Sequence, residues 1–81
     1  MYKPFSLSEQ EQDIIRAIVD FSNRHNAIWI VARAKSGRKI LSAKAPFDVD
    51  ELIRAIDYEQ DYVDITICFT DREPKFYRII L

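Results

Sequence analysis

Apolar residues recur along the chain at two different spacings, one typical of helices and one typical of strands. Two segments repeat them every three or four positions, as on the buried side of an amphipathic helix. These are Ile14, Ile15, Ile18 and Phe21 in the first segment and Leu52, Ile53 and Ile56 in the second. Four further segments, 27–35, 38–44, 62–70 and 75–81, are rich in the β-branched and aromatic residues that strands favour. The pattern predicts the element order α-β-β-α-β-β.

Polar residues mark where the two helices begin. The first helix should begin after Ser6 or Ser8, because a Glu follows each serine three positions later, as in a capping box. The second should begin after Asp48, a favourable N-cap residue. Phe47 could then pack against Leu52 as a hydrophobic staple.

Short turns should join the strands into two hairpins. Ser36-Gly37 predicts the first turn, because glycine supplies the positive φ that short hairpins require. Residues 71–74 should form the second. Two helices and two hairpins predict an α+β fold, a four-stranded antiparallel sheet with both helices on one face. Residues 1–81 are enough for a single compact domain. The pattern does not determine which strands lie in the middle.

One six-residue segment of the chain recurs. The segment from Asp13 to Ile18 returns as the segment from Glu51 to Ile56, and each copy leads into two strand-like runs. This indicates an αββ duplication with halves 8–44 and 48–81. The alternative is a chance echo, because amphipathic helices draw on the same few residue types.

Strand alternation divides the predicted sheet into two faces. The aliphatic sets should face the helices: Ile28, Ile30, Ala32 and Ala34, with Val63, Ile65, Ile67 and Phe69. The opposite face would then carry Trp29, Val31, Arg33, Lys35, Tyr62, Thr66 and Cys68, with no helix left to cover it. The fourth strand is ambiguous, because both of its alternating sets are largely apolar.

The net charge of −1 conceals a strong segregation of charge along the chain. Between Phe21 and Phe47 there are six basic residues and no acid, whereas between Asp48 and Asp64 there are seven acids and one arginine. Such blocks create patches of opposite potential, which affect the choice of partners.

The composition argues against catalysis. The chain has one glycine, so it has no glycine-rich phosphate loop, and His25 has no Cys or second His near it to complete a metal site. Cys68 lies in the middle of a predicted strand, which favours an inert, half-buried thiol over a nucleophile. We therefore expect no enzyme activity, no cofactor and no metal. No apolar run is long enough to span a bilayer, and residues 1–4 do not resemble the start of a signal peptide, so we expect a cytoplasmic protein.

The uncovered face suggests a binding function, because exposed apolar surface beside Trp and Arg is typical of interfaces. The leading hypothesis is a small regulatory or inhibitory protein-binding module, or one that self-associates. Its candidate partner-binding residues are Trp29, Val31, Arg33, Lys35, Arg38 and Lys39. One alternative is single-stranded DNA or RNA binding through Trp29 and the 33–39 hairpin. A purely structural alternative is that Trp29 packs under a chain terminus and the basic residues are only solvated. Another is an acidic mimic of nucleic acid that uses Asp57, Glu59, Asp61 and Asp64.

The element order is similar to that of the saddle-shaped sheet core of LAGLIDADG homing endonucleases. The resemblance is confined to element order, because the acidic, glycine-containing motif of that family has no counterpart after Ile18 or Ile56. It therefore implies neither membership nor activity.

Overall fold

A computed structural model of the protein describes residues 7–81, and two helices and four strands lie in this range. They are α1 (Glu9–Arg24), β1 (Trp29–Ala34), β2 (Lys39–Lys44), α2 (Val49–Asp57), β3 (Tyr62–Cys68) and β4 (Lys75–Ile80). The predicted element order and α+β class are confirmed. The alternative helix start at Ser6 and the prediction about residues 1–4 lie outside the described residues.

Both helices begin at predicted caps. The Ser8 hydroxyl accepts a hydrogen bond from the Glu11 N–H at 3.1 Å, and the Glu11 carboxylate accepts one from the Ser8 N–H at 2.9 Å. This reciprocal capping box satisfies two donors at the start of α1. At the start of α2, the Asp48 carboxylate accepts a hydrogen bond from the Asp50 N–H at 2.9 Å.

One asparagine links the end of α1 to the start of α2. The Asn23 side chain accepts a hydrogen bond from the Phe47 N–H at 3.1 Å and donates one to the Phe47 carbonyl at 3.3 Å. Phe47 is buried, and with Leu52 it lines a small gap in the core. The side chain of Asn23 on α1 is therefore tied to the backbone of Phe47, the residue predicted to staple α2.

The strands form one antiparallel sheet in the order β2-β1-β3-β4. The first strand of each hairpin is central, and the second is at an edge. This order is symmetric with respect to the two αββ halves, as a duplication would produce. The helices differ in length, 16 residues in α1 and 9 in α2. The duplication stays a prediction.

The core lies between the helices and one face of the sheet. The predicted inward residues within β1 and β3 are buried. All of them except Ala34 belong to one cluster with Ile15, Ile18, Leu52, Ile53 and Ile56 from the helices. In β4, Ile79 is buried and Tyr77 partly buried, so Phe76, Arg78 and Ile80 occupy the opposite face. This resolves the ambiguity that the sequence left in the fourth strand.

Two apolar residues predicted to be inward are partly exposed. Ile28 is 45% exposed. Its N–H donates to the carbonyl of Cys68, although the residue paired with Cys68 in the ladder is Trp29. The chain thus departs from the regular register just before β1. Ile14 is 46% exposed, since it lies at the border of the apolar stripe of α1. Its counterpart in the repeat, Leu52, is buried.

Candidate functional site

The face of the sheet opposite the helices carries a mixture of aromatic, aliphatic and charged side chains. Within residues 7–81, no helix packs over this side, which we call the open face. It presents Trp29, Val31 and Arg33 of β1, Lys39, Ser42 and Lys44 of β2, Tyr62, Asp64, Thr66 and Cys68 of β3, and Phe76, Arg78 and Ile80 of β4. Strand pairing places these residues in rows, because directly opposed residues project to the same side.

Trp29 is held in place by two residues of the neighbouring strand. Its indole N–H donates a hydrogen bond to the Ser42 hydroxyl at 2.7 Å, and the Lys44 ammonium lies 5.3 Å from the ring centroid. The side chain is half-buried. Because the Trp29 side chain is already ordered, it would lose little conformational entropy when a partner contacts it, which favours binding.

Arg78 bridges β4 and β3 across the open face. Its guanidinium donates two hydrogen bonds to the Asp64 carboxylate, at 2.7 and 3.1 Å, and lies 3.9 Å from the centroid of the Tyr62 ring. These hydrogen bonds hold the pKa of Asp64 below its ordinary value, although desolvation opposes the shift, and they raise the pKa of Arg78. The Arg78 guanidinium is therefore directed along the open face toward β3, away from the outer edge of β4.

The basic hairpin predicted to bind a partner is partly neutralised by the acidic segment. Arg38 forms an ion pair with Glu59 at 3.0 Å, and Lys35, which lies in the turn beyond β1, approaches Asp61 at 3.8 Å. Arg33 instead donates to the Gly37 carbonyl at 3.0 Å. The two charge blocks that are separate along the chain thus meet in space.

The open face still carries cations without a carboxylate partner. Among the described residues, Arg33, Lys39 and Lys44 have no ion pair, and all three lie on β1 or β2. Together with Trp29 and Val31 they form what we call the cationic half of the open face. Of the six predicted partner-binding residues, the structure places Trp29, Val31, Arg33 and Lys39 together, with Lys35 and Arg38 at the adjoining turn.

The acidic residues predicted as an alternative surface lie on several elements. Asp57, at the end of α2, accepts a hydrogen bond from the Leu7 N–H at 3.0 Å. Glu59 and Asp61 follow in the loop and contact the basic hairpin, whereas Asp64 lies within β3 beneath Arg78. Each carboxylate therefore already contacts a donor or a cation of the same chain.

Sequence reasoning missed four residues of the open face that bear on binding. Ser42 and Lys44 of β2 position Trp29, and Phe76 and Ile80 of β4 are 72% and 68% exposed. Alternation in β2 could have found the first two, once β2 was paired with β1. It could not have found Phe76 and Ile80, because both faces of β4 are largely apolar.

His25 and Cys68 are the remaining residues that the sequence analysis considered for metal binding or catalysis. His25 is exposed at the end of α1, with its ring 4.3 Å from that of Phe21, and Cys68 is a half-buried free thiol. In the part of the chain that the structure describes, no three His, Cys, Asp or Glu side chains group as metal ligands would. None of the helices between residues 7 and 81 has the length and apolar character needed to cross a bilayer.

The architecture of residues 7–81 is a two-layer α+β arrangement in which these residues leave one face of the sheet uncovered. Comparison of the chain with protein families, curated proteins and solved structures finds no match. The chemistry of the open face is therefore the feature of the molecule that indicates a function.

Proposed function

We propose that this protein is a small, non-catalytic protein-binding module, regulatory or inhibitory in action, that uses the cationic half of its open face. The observation that carries the proposal is the indole of Trp29, which is held by contacts with Ser42 and Lys44 on a sheet face that no other element of residues 7–81 covers. Trp and Arg are favoured at the centres of protein interfaces, where they contribute most of the binding energy. A lone cysteine fits a reducing compartment such as the cytoplasm.

The chemistry of the face favours an acidic partner that also offers apolar side chains. Arg33, Lys39 and Lys44 surround Trp29 and Val31, and these cations lack carboxylate partners among the described residues. An Asp- or Glu-rich segment would supply the missing charges, and an adjacent Leu or Phe would cover the indole. Complementary charge of this kind also accelerates encounter and suppresses wrong partners.

Nucleic acid is the second candidate, because an aromatic ring beside cations is also how single strands are bound. The structure gives it less support. Lys44 already lies over the Trp29 ring, where a base would stack, and Lys35 and Arg38 are partly neutralised. The acidic mimic has less support still, because its carboxylates contact donors and cations of the chain itself.

Two anionic probes, a peptide and a nucleic acid, test the proposal. We would titrate the protein at low salt with an Asp/Glu-rich peptide containing Leu and Phe, and with single-stranded DNA of equal charge, by calorimetry. The peptide should bind, and Trp29→Ala should weaken it by about 2 kcal/mol, roughly 30-fold in Kd, as for a central aromatic anchor. Arg33→Ala should also weaken peptide binding.

Arg54→Ala is the matched control for the loss of charge. Arg54 is an exposed cation on α2, in the layer on the other side of the sheet, and its removal should leave peptide affinity unchanged. Equal losses in Arg33→Ala and Arg54→Ala would indicate attraction by net charge alone and contradict a site on the open face. Tighter binding of DNA than of the peptide, with the same sensitivity to Trp29 and Arg33, would favour the nucleic-acid alternative.

A further inference from the structure

We propose that β4 pairs antiparallel with β4 of a second copy of the chain, about a two-fold axis at Arg78, so that the two sheets become one. In the order β2-β1-β3-β4, β4 is an edge, and within residues 7–81 no strand pairs with its outer side. An edge strand presents a row of free N–H and C=O groups that can template another strand. The proposal does not depend on the function proposed above, which uses the opposite half of the open face.

The backbone of β4 shows which groups are available at this edge. The Leu81 N–H donates to the Asp61 carbonyl at 2.9 Å, and these two residues are opposed in the register that pairs Tyr62 with Ile80. Because antiparallel ladders alternate, Ile79, Tyr77 and Lys75 also direct their backbone groups toward β3. The N–H and C=O groups of Phe76, Arg78 and Ile80 therefore point outward.

A two-fold axis at Arg78 matches these groups with each other. Arg78 would exchange backbone hydrogen bonds with Arg78 of the second copy, and Phe76 would do so with Ile80 of the second copy. The same register places the exposed side chains of Phe76 and Ile80 opposite one another on the open face, where apolar cross-strand pairs stabilise a sheet. The strand is thus complementary to itself, which favours a second copy over an unrelated strand.

Two arginines would lie side by side at the axis, but their charges are directed away from it. The Arg78 guanidinium lies over Tyr62 and is bound to Asp64, both on β3, the strand on the inner side of β4. Each cation is therefore paired with an anion of its own chain. Repulsion between the two copies should be small.

The helix side of the same edge also presents apolar surface. Ile14, Ala17, Ile18, Phe21 and Tyr77 line an open groove between α1 and β4. The Lys75 ammonium lies 4.8 Å from the Phe21 ring centroid. Ile14 is 46% exposed although its repeat counterpart is buried, so the described chain leaves the Ile14 end of the groove only half covered. In the paired register, Tyr77 would face Ile79 of the second copy, and the groove would adjoin the interface.

The other edge of the sheet differs in the features that prevent pairing. The pairing of β1 with β2 contains an irregularity after Ala32, and β2 begins and ends with exposed lysines, Lys39 and Lys44. Bulges and edge lysines are common protections against unwanted strand addition. β4 has an exposed lysine only at its start, and its outer face is apolar on both sides of Arg78.

Sedimentation velocity over a wide concentration range tests the assembly. The wild-type chain should form dimers reversibly. Phe76→Lys and Ile80→Lys should each weaken dimerisation at least tenfold, because each disrupts both Phe76–Ile80 cross-strand pairs of the dimer and adds positive charge at the edge. Tyr58→Lys, which changes an 85%-exposed aromatic at the end of α2, is the matched control and should dimerise like the wild type. A wild-type chain that stays monomeric at millimolar concentration would overturn the proposal.

Amide hydrogen exchange tests the register without any substitution. The amides of Phe76, Arg78 and Ile80 should be protected at high protein concentration and exchange freely on dilution, whereas those of Tyr77 and Ile79 should be protected throughout. A dimer in which the three outward amides exchange freely would place the interface elsewhere. Protection of these amides only when an unrelated extended peptide is added, without dimers, would assign the edge to a foreign strand and contradict self-pairing.

Discussion

Asp64 and Arg78 form the most closely engaged ion pair of the open face, with two hydrogen bonds and an aromatic ring beneath the guanidinium. Their geometry is bidentate, the arrangement in which an arginine–carboxylate pair is strongest. Both side chains remain partly exposed, so solvent and salt reduce what the pair contributes to stability. Its main effect is to direct the charge of Arg78 away from the edge of the sheet.

Arg78→Gln should raise the pKa of Asp64 toward its ordinary value, because the hydrogen bonds from Arg78 are what lower it. Because the pKa of Asp64 is lower in the folded state, the folded protein binds fewer protons than the unfolded one at pH values between the folded pKa and the ordinary pKa. The stabilisation is therefore complete above the ordinary pKa of aspartate, about 4, and is lost as the pH falls through the folded pKa. Carboxyl NMR titration of both proteins would measure the shift, and an Asp64 pKa that is the same in both would contradict this account.

Gly37 is the residue of the first hairpin whose backbone most restricts substitution. Its φ is +90°, and its N–H donates to the Ala34 carbonyl at 2.8 Å within the turn. A Cβ at this position would meet no other atom within 4 Å, so only the backbone conformation opposes a side chain. Gly37→Ala should destabilise the fold by about 1 kcal/mol. Urea denaturation would measure this, and a Gly37→Ala variant as stable as the wild type would argue against strain at Gly37.

At the scale of the elements, the two helices use equivalent residues differently. Ile14 and Leu52 occupy the same place in the repeated segment, but Ile14 is 46% exposed, whereas Leu52 is buried. Leu52 lines a small gap in the core together with residues of α1, β1 and β2. The difference follows from where each helix lies over the sheet. The side of α1 that carries Ile14 faces the groove beside β4, where the described chain supplies no further cover.

Leu52→Ala should therefore destabilise the monomer by about 3 kcal/mol, the usual consequence of leaving a cavity in a packed core. Ile14→Ala should have a much smaller effect, since half of that side chain is already in contact with solvent. Denaturant unfolding at low protein concentration, where any dimer is dissociated, would compare the two. Similar losses would mean that Ile14 is part of the core and that the groove is not a free surface.

At the scale of the whole molecule, charges that are separate along the chain become neighbours. Arg38 reaches Glu59 and Lys35 reaches Asp61, because β1 and β3 pair at the centre of the sheet and bring the first turn beside the α2–β3 loop. This pairing removes much of the charge that the basic hairpin would offer a nucleic acid. On the open face it leaves Arg33, Lys39 and Lys44, which have no ion pair within residues 7–81. They lie around Trp29 on β1 and β2, at the end of the sheet away from the β4 edge. A partner and a second copy could therefore bind the same molecule together.

The sequence by itself determined the elements and most of the core. The Ser8 and Asp48 caps, the glycine turn and the alternation in β1 and β3 depend on interactions within a few residues or on the two faces of a strand, so the local pattern specifies them. It also identified Trp29, Val31, Arg33 and Lys39 as neighbours, because three belong to one alternating set and Lys39 follows the turn. These predictions required no knowledge of which strands meet.

Only the tertiary structure decided the order of the strands, the face that Phe76 and Ile80 occupy, and the ion pairs of Arg38 and Arg78. These features depend on contacts between residues far apart in the chain. When both faces of a strand such as β4 are apolar, register alone determines which side is buried, and a shift of one residue would reverse it. The edge available to a second copy follows from that register, because it fixes the outward direction of the backbone groups of β4.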